Sequence, residues 1–147
     1  MEGSDHRSIA IQEFNRCWEL LEKSERSASE GADLLTSAFA SRFHWSVMGE
    51  SERTVMADWM VSRAAAANSY GDLAVQFALR AHEGAVAARA SNWLIASVAE
   101  GLARAYNAAG DTARRDEWWT SAEILVGEIS DEKDRELIES QLKEVPH

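Results

Sequence analysis

Apolar residues recur along this chain at helical spacing, in seven stretches separated by short polar breaks. In the first, Ile9, Ile11, Phe14, Trp18 and Leu21 follow one another at intervals of two to four, which predicts a helix from about Ser8 to Lys23 with one apolar face. Ser27 followed by Glu30 has capping-box spacing, so a second helix starts there and runs through Leu34, Leu35, Ala38 and Phe39 to Val47. Gly49 ends it. Ser51 is placed to cap a third helix, with Glu52 in its first turn and Val55, Met56, Trp59 and Met60 leading into Ala64 to Ala67. The break at Asn68 to Gly71 precedes a fourth helix, opened by Asp72 and carrying Leu73, Phe77 and Ala81 to about Ala88. Ser91 or Asn92 opens a fifth, which closes at Gly110, and Asp111 caps a sixth. Ser130, followed by Asp131 and Glu132, begins a seventh whose thin stripe of Leu137, Ile138 and Leu142 suffices for one neighbour only.

The helices repeat in pairs. Sliding the sequence by 41 residues superposes Ala40, Ala81 and Ala122 in the second helix of each pair, and Leu20, Val61 and Leu102 in the first. Ser62 and Ala103 are both small at the next position, while Leu21 departs from the pattern. Small residues recurring at fixed places mark where helices approach closely, so the repeat has a packing reason.

Within the third pair, Leu102, Ala103, Tyr106, Gly110, Trp119 and Ala122 carry the spacing of a large apolar residue, a small one, Tyr, Gly, an aromatic and Ala. That spacing resembles the tetratricopeptide repeat. Arg115 stands where the family usually has Ala, Ala99 where it often has Trp, and no Pro closes the second helix. The repeat here is seven residues longer than the usual 34, about two helical turns. They fall between the Ala of one second helix and the next first helix, lengthening both at one edge. The whole chain, including Ala-Ser-Arg-Phe-His-Trp at 40 to 45, also resembles bacterial tetratricopeptide-like proteins of unassigned function. The resemblance implies an all-α fold of about three antiparallel helix pairs, 8–47, 51–88 and 91–127, stacked as a short right-handed solenoid. A capping helix at about 131–143 would complete a single domain of 147 residues.

Composition agrees with that class. Twenty-five alanines against one proline, Pro146, favour helices and disfavour sheet. The net charge of -10 lacks the basic surface that phosphate recognition requires, which excludes a typical nucleic-acid binder. The acid is concentrated late: residues 111–147 hold 11 acidic and 5 basic side chains, against 7 and 6 in residues 31–110. The central region is therefore the less repulsive one for an acidic ligand. No stretch approaches the roughly 20 apolar residues needed to span a bilayer, and the start lacks an apolar signal region. With its single cysteine, Cys17, read as a core residue, the chain is expected to be cytoplasmic.

Candidate chemistry is sparse. His44 and His82 have no local metal-ligand spacing around them, and no phosphate loop, nucleophile elbow or nucleophile beside a base occurs. The expectation is a non-enzyme with neither metal nor cofactor, in which both histidines are bonded at helix ends or between helices. The carboxylates at 131 to 139 read as a solvated face, with Asp131 and Arg135 as i,i+4 companions. Trp118 and Trp119 point about 100° apart on their helix, one expected in the core and the other partly exposed.

The 41-residue register places Trp18, Trp59 and Glu100 at one equivalent position, and Glu22, Arg63 and Arg104 at another one turn later. In the tetratricopeptide family the matching positions line the inner face, so the resemblance implies a groove that binds a protein or peptide. Arg63 and Arg104 would anchor an acidic group while a tryptophan packs its apolar part. The competing expectation is that Glu100 pairs with Arg104 or Arg63 and the tryptophans are core. Two other functions stand beside the groove: self-association as a homodimer through Trp93 or Trp118, and, less favoured, a small-molecule or enzymatic site.

Overall fold

The computed structural model describes all residues from 1 to 147 as seven α-helices and no strands. They are α1 (Gly3–Leu21), α2 (Ala28–Met48), α3 (Ser51–Ala67), α4 (Gly71–Ala88), α5 (Asn92–Ala109), α6 (Thr112–Gly127) and α7 (Glu132–Lys143). No helix is long and apolar enough to cross a membrane.

Where the helix ends are set by local chemistry, they fall where the residues predict. The Ser27 hydroxyl accepts from the Glu30 amide and the Glu30 carboxylate accepts from the Ser27 amide, a complete capping box that starts α2. Gly49 and Gly110 take φ of +70° and +78° after α2 and α5, where a side chain would be strained. Asp111 caps α6 by accepting from the Arg114 amide.

Other starts differ from expectation or draw on distant partners. Helix α1 begins at Gly3 instead of Ser8, because its extra turn is tied down by ion pairing of Arg7 with Glu50 and by His6 against His44. Ser51 is the first residue of α3, not its cap; Glu50 holds the cap position with its carboxylate committed to Arg7. Tyr70 precedes α4, which starts one residue before Asp72. Ser91 precedes α5, but its amide donates to Glu52 at 2.9 Å and its buried hydroxyl has no partner. Asp131, not Ser130, caps α7, and being so used it does not pair with Arg135, which donates to the Ile129 carbonyl instead.

Each helix packs on its sequence neighbours, and in addition α1 meets α3, α3 meets α5 and α5 meets α7. Helices α2, α4 and α6 pack chiefly on the helices before and after them, and in addition Phe39 of α2 meets Phe77 of α4 edge-on and His82 of α4 meets Trp118 of α6. The main core runs through α1 to α5 around Cys17, Leu34, Met60, Val61, Leu94 and Leu102. Burying each such leucine is worth about 1.5–3 kcal/mol. Val61, Ala81, Leu102, Ala103 and Ala122 are fully buried, as the 41-residue register requires. Ala40 is half-buried; on α2 the closest approach falls one residue later, at Ser41, whose hydroxyl donates to the Ala10 carbonyl at 2.8 Å.

Helix α7 covers two neighbours where its stripe predicts one. Ile138 joins Ala96, Val126 and Ile129, whereas Leu142 joins Ala99 and Ala122, so the two residues enter separate apolar clusters between α5 and α6. Leu137, the third member of the stripe, remains 58 % exposed. Trp118 and Trp119 are both half-buried: the first meets His82 edge-on, while the second stacks on His147 at 3.5 Å and donates to the Leu142 carbonyl.

Candidate functional site

The contacts among α1, α3 and α5 bring five of the six groove candidates together. Trp18 on α1 and Trp59 on α3 lie with ring centroids 5.9 Å apart, tilted by 43°. The Trp59 indole donates to the Ser97 carbonyl of α5 at 3.0 Å, which fixes that ring across the helix contact. One turn beyond Trp59, the Arg63 guanidinium sits over both indoles, 5.2 Å from the centre of Trp18 and 5.6 Å from that of Trp59. Glu22 does not join them; it is exposed at the C-terminal end of α1.

Glu100 is fully buried and lies between the two arginines. Arg104 donates to it from Nε at 3.1 Å and from Nη2 at 2.6 Å, and Arg63 approaches it to 3.5 Å. A sixth residue completes the cluster. Glu144, just past α7, accepts from Arg63 at 3.3 Å and from Arg104 at 3.1 Å, while Arg104 also donates to the Gln141 carbonyl. Two arginines thus face two glutamates, and the formal charge closes to zero. Glu144 carried no sequence signal, since its role depends on how α7, packed on α5 and α6, brings its C-terminal end to Arg63 and Arg104.

The electrostatics show what burial does to this cluster. Desolvation, aided by the neighbouring charge of Arg104, lowers the pKa of Arg63. Desolvation opposes the charge of Arg104 as well, but Glu100 and Glu144 outweigh it and raise its pKa. Both remain cations, because an arginine starts too high to lose its proton. Nε and Nη1 of Arg63 and Oε2 of Glu100 have no hydrogen-bond partner, so contact with the indole faces replaces part of the solvation that Arg63 loses.

Two cavities flank this network. The apolar one, of about 190 Å³, is walled by Phe14, Trp18, Met56, Trp59 and Trp93, with Asp134, Leu137 and Ile138 of α7 along one side. The polar one, of about 410 Å³, lies where the C-terminal ends of α1, α3, α5 and α7 converge, with Arg26, Arg63, Arg104 and Glu144 around it. Arg26 is already engaged there, donating to the carbonyls of Leu20, Leu21 and Lys23.

The remaining titratable candidates have structural surroundings. Cys17 is buried with its thiol 3.8 Å from the Leu34 carbonyl, and burial, then the charge of Glu13, pushes its pKa up to about 12. His6 and His44 meet through their Nδ1 atoms at 2.8 Å, joining the start of α1 to the end of α2. No group of three or more His, Cys, Asp or Glu side chains is arranged to hold a metal ion. What the site offers is therefore apolar aromatic surface beside a charge-balanced wall.

Trp93 and Phe14 belong to this cavity, yet neither stands at the register positions of Trp18 and Trp59. Only the meeting of α1, α3, α5 and α7 reveals them as its walls. Comparison with protein-family models, curated proteins and solved structures finds no match for this chain.

Proposed function

We propose that the chain is a non-enzymatic helical-repeat module that binds a protein or peptide through the face shared by α1, α3, α5 and α7. The succession of contacts among these helices, with Phe39 on Phe77 and His82 on Trp118 linking α2, α4 and α6 in the same order, fits stacked tetratricopeptide-like pairs forming a short right-handed solenoid. On this reading residues 1–147 act as one domain in the bacterial cytoplasm. The single buried, unbridged Cys17 suits a reducing compartment.

The observation that carries the reading is the apolar cavity between Trp18, Trp59 and Trp93. Tryptophans lining a concavity are the usual anchors of an interface, because each buries a large rigid surface at low entropic cost. Arg63 and Arg104 serve this groove differently from the expectation that they grip an acidic ligand. Glu100 and Glu144 already neutralise them, so their part is to hold α1, α3, α5 and α7 around the aromatic wall.

The test is selection of short peptides on the immobilised protein, repeated with Leu137→Arg. Leu137 is exposed beside the cavity, so its replacement blocks the mouth without opening the core. Peptides should bind the parent and lose the variant at unchanged helicity. Failure to select any peptide, or equal binding to both proteins, would remove this reading.

Self-association is a second reading, favoured by a different surface. Phe39, Phe43 and Val47 are 39 %, 58 % and 51 % exposed at successive helical turns of α2. Light scattering of the parent and of Phe43→Lys tests it: a dimer that the variant dissociates supports this contact, and a monomeric parent rejects it.

A further inference from the structure

We infer that the cavity between α1, α3, α5 and α7 is a binding site for an alkylated ammonium group, such as a choline-like head or a methylated lysine side chain. Three indoles, from Trp18, Trp59 and Trp93, and the phenyl ring of Phe14 border one space of about 190 Å³. That exceeds the roughly 150 Å³ in which a cavity holds benzene. An aromatic ring presents negative potential at its face, so rings grouped around one space attract a cation and lose little when they desolvate it.

The charge around the cavity has the matching sign. Asp134 is the one charged residue on its lining, it is exposed, and it makes no ion pair. It lies in the first turn of α7. Arg63 rests over Trp18 and Trp59 with its charge balanced within the group of Arg104, Glu100 and Glu144. Asp134 is therefore the uncompensated charge that faces a ligand.

The lining also chooses among cations. A primary ammonium keeps three strongly hydrated N–H donors, and the polar side chains available to replace that water are Ser97, Asp134 and Gln141 alone. A quaternary ammonium has no N–H to satisfy and spreads its charge over methyl groups that pack against indole. The inference concerns the head group and holds whether it arrives free or on a peptide.

The experiment follows tryptophan fluorescence and methyl NMR shifts of the full chain during titration with four ligands. They are choline, its neutral tert-butyl isostere, ethanolamine, and a short peptide carrying trimethyllysine. Choline or the peptide should saturate and bind at least about tenfold tighter than the neutral isostere and ethanolamine, the scale of a desolvated cation–π contact. Asp134→Asn should weaken the cation by about three- to tenfold and leave the neutral isostere unchanged. Trp93→Leu, with helicity checked, should weaken both.

Saturation by choline identifies a free head group, and saturation by the peptide alone identifies a partner's side chain; either supports the inference. Equal affinity for the neutral isostere, no saturation by either cation, or Asp134→Asn without effect on the preference overturns it. Peptides that bind with no preference for the cation would leave the peptide-binding reading standing and this one refuted. Choline binding without any peptide binding would do the reverse.

Discussion

Gly101 of α5 lies so close to the indole of Trp59 on α3 that a Cβ at this glycine would stand 2.8 Å from Cδ1 and 2.9 Å from Nε1. The ring cannot move aside freely, because its Nε1 is bonded to the Ser97 carbonyl. Gly101→Ala should therefore lower stability by about 1–3 kcal/mol, although alanine is the better helix former. Chemical denaturation measures this. A variant as stable as the parent would mean that Trp59 repacks without loss.

The buried network predicts a strongly asymmetric response. Arg104→Met leaves Glu100 fully buried with only the longer contact to Arg63, and should destabilise by about 3 kcal/mol or more. Adding Glu100→Gln removes the stranded charge and should recover most of that loss. Arg63→Ala with Arg104→Ala should be worse than either single change, because no cation then faces Glu100. Urea unfolding of these variants beside the parent checks the order, and a double arginine variant of full stability would contradict it.

Glu30 predicts part of the acid response. The side-chain bond from Lys23, followed by the Ser27 amide, holds its carboxylate at a pKa of about 2, well below the ordinary 4.5. A lowered folded pKa stabilises above the unfolded value and is lost as pH falls through the folded one. The stabilisation at the start of α2 should thus be complete above about pH 5 and disappear toward pH 2. Thermal melts of the parent and Glu30→Gln should differ at neutral pH and converge in acid.

Cys17 predicts both a kinetic and an alkaline effect. With its pKa pushed up to about 12, the folded protein holds almost no thiolate near neutrality, so a disulfide reagent should label it only as the chain unfolds. The raised folded value means that this contribution is intact below the unfolded pKa near 9 and is lost as pH rises toward 12. Rapid labelling of native protein at pH 8 would contradict the buried placement.

The sequence was most legible where a few adjacent residues decide the geometry. Ser27 with Glu30, Gly49, Gly110 and Asp111 each satisfy a helix end by local bonds, so their spacing alone locates the boundary. Ser69 and Arg89 are left-handed without being glycine, at φ of +62° and +48°, and no local pattern announces them. The turn holding Ser69 is fastened from afar by Asn68, whose side chain donates to the Gly31 carbonyl of α2. The same division runs through the site. The 41-residue register aligned Trp18, Trp59, Arg63, Glu100 and Arg104, whereas Phe14, Trp93, Asp134 and Glu144 entered it only through contacts between distant helices.

The convergence of four helix ends around Arg26, Arg63 and Arg104 has an effect on the rest of the surface. Helix C-termini end in unsatisfied carbonyls that carry partial negative charge, and bringing several to one edge concentrates it. Three of the chain's fifteen basic residues are drawn to that edge. The remaining surface is poorer in positive charge than composition implies, and its long-range field is correspondingly more negative. An approaching cation is steered from a distance, whereas an anion meets repulsion before it can sense any arginine; raising the salt concentration should slow association of the first and hasten that of the second.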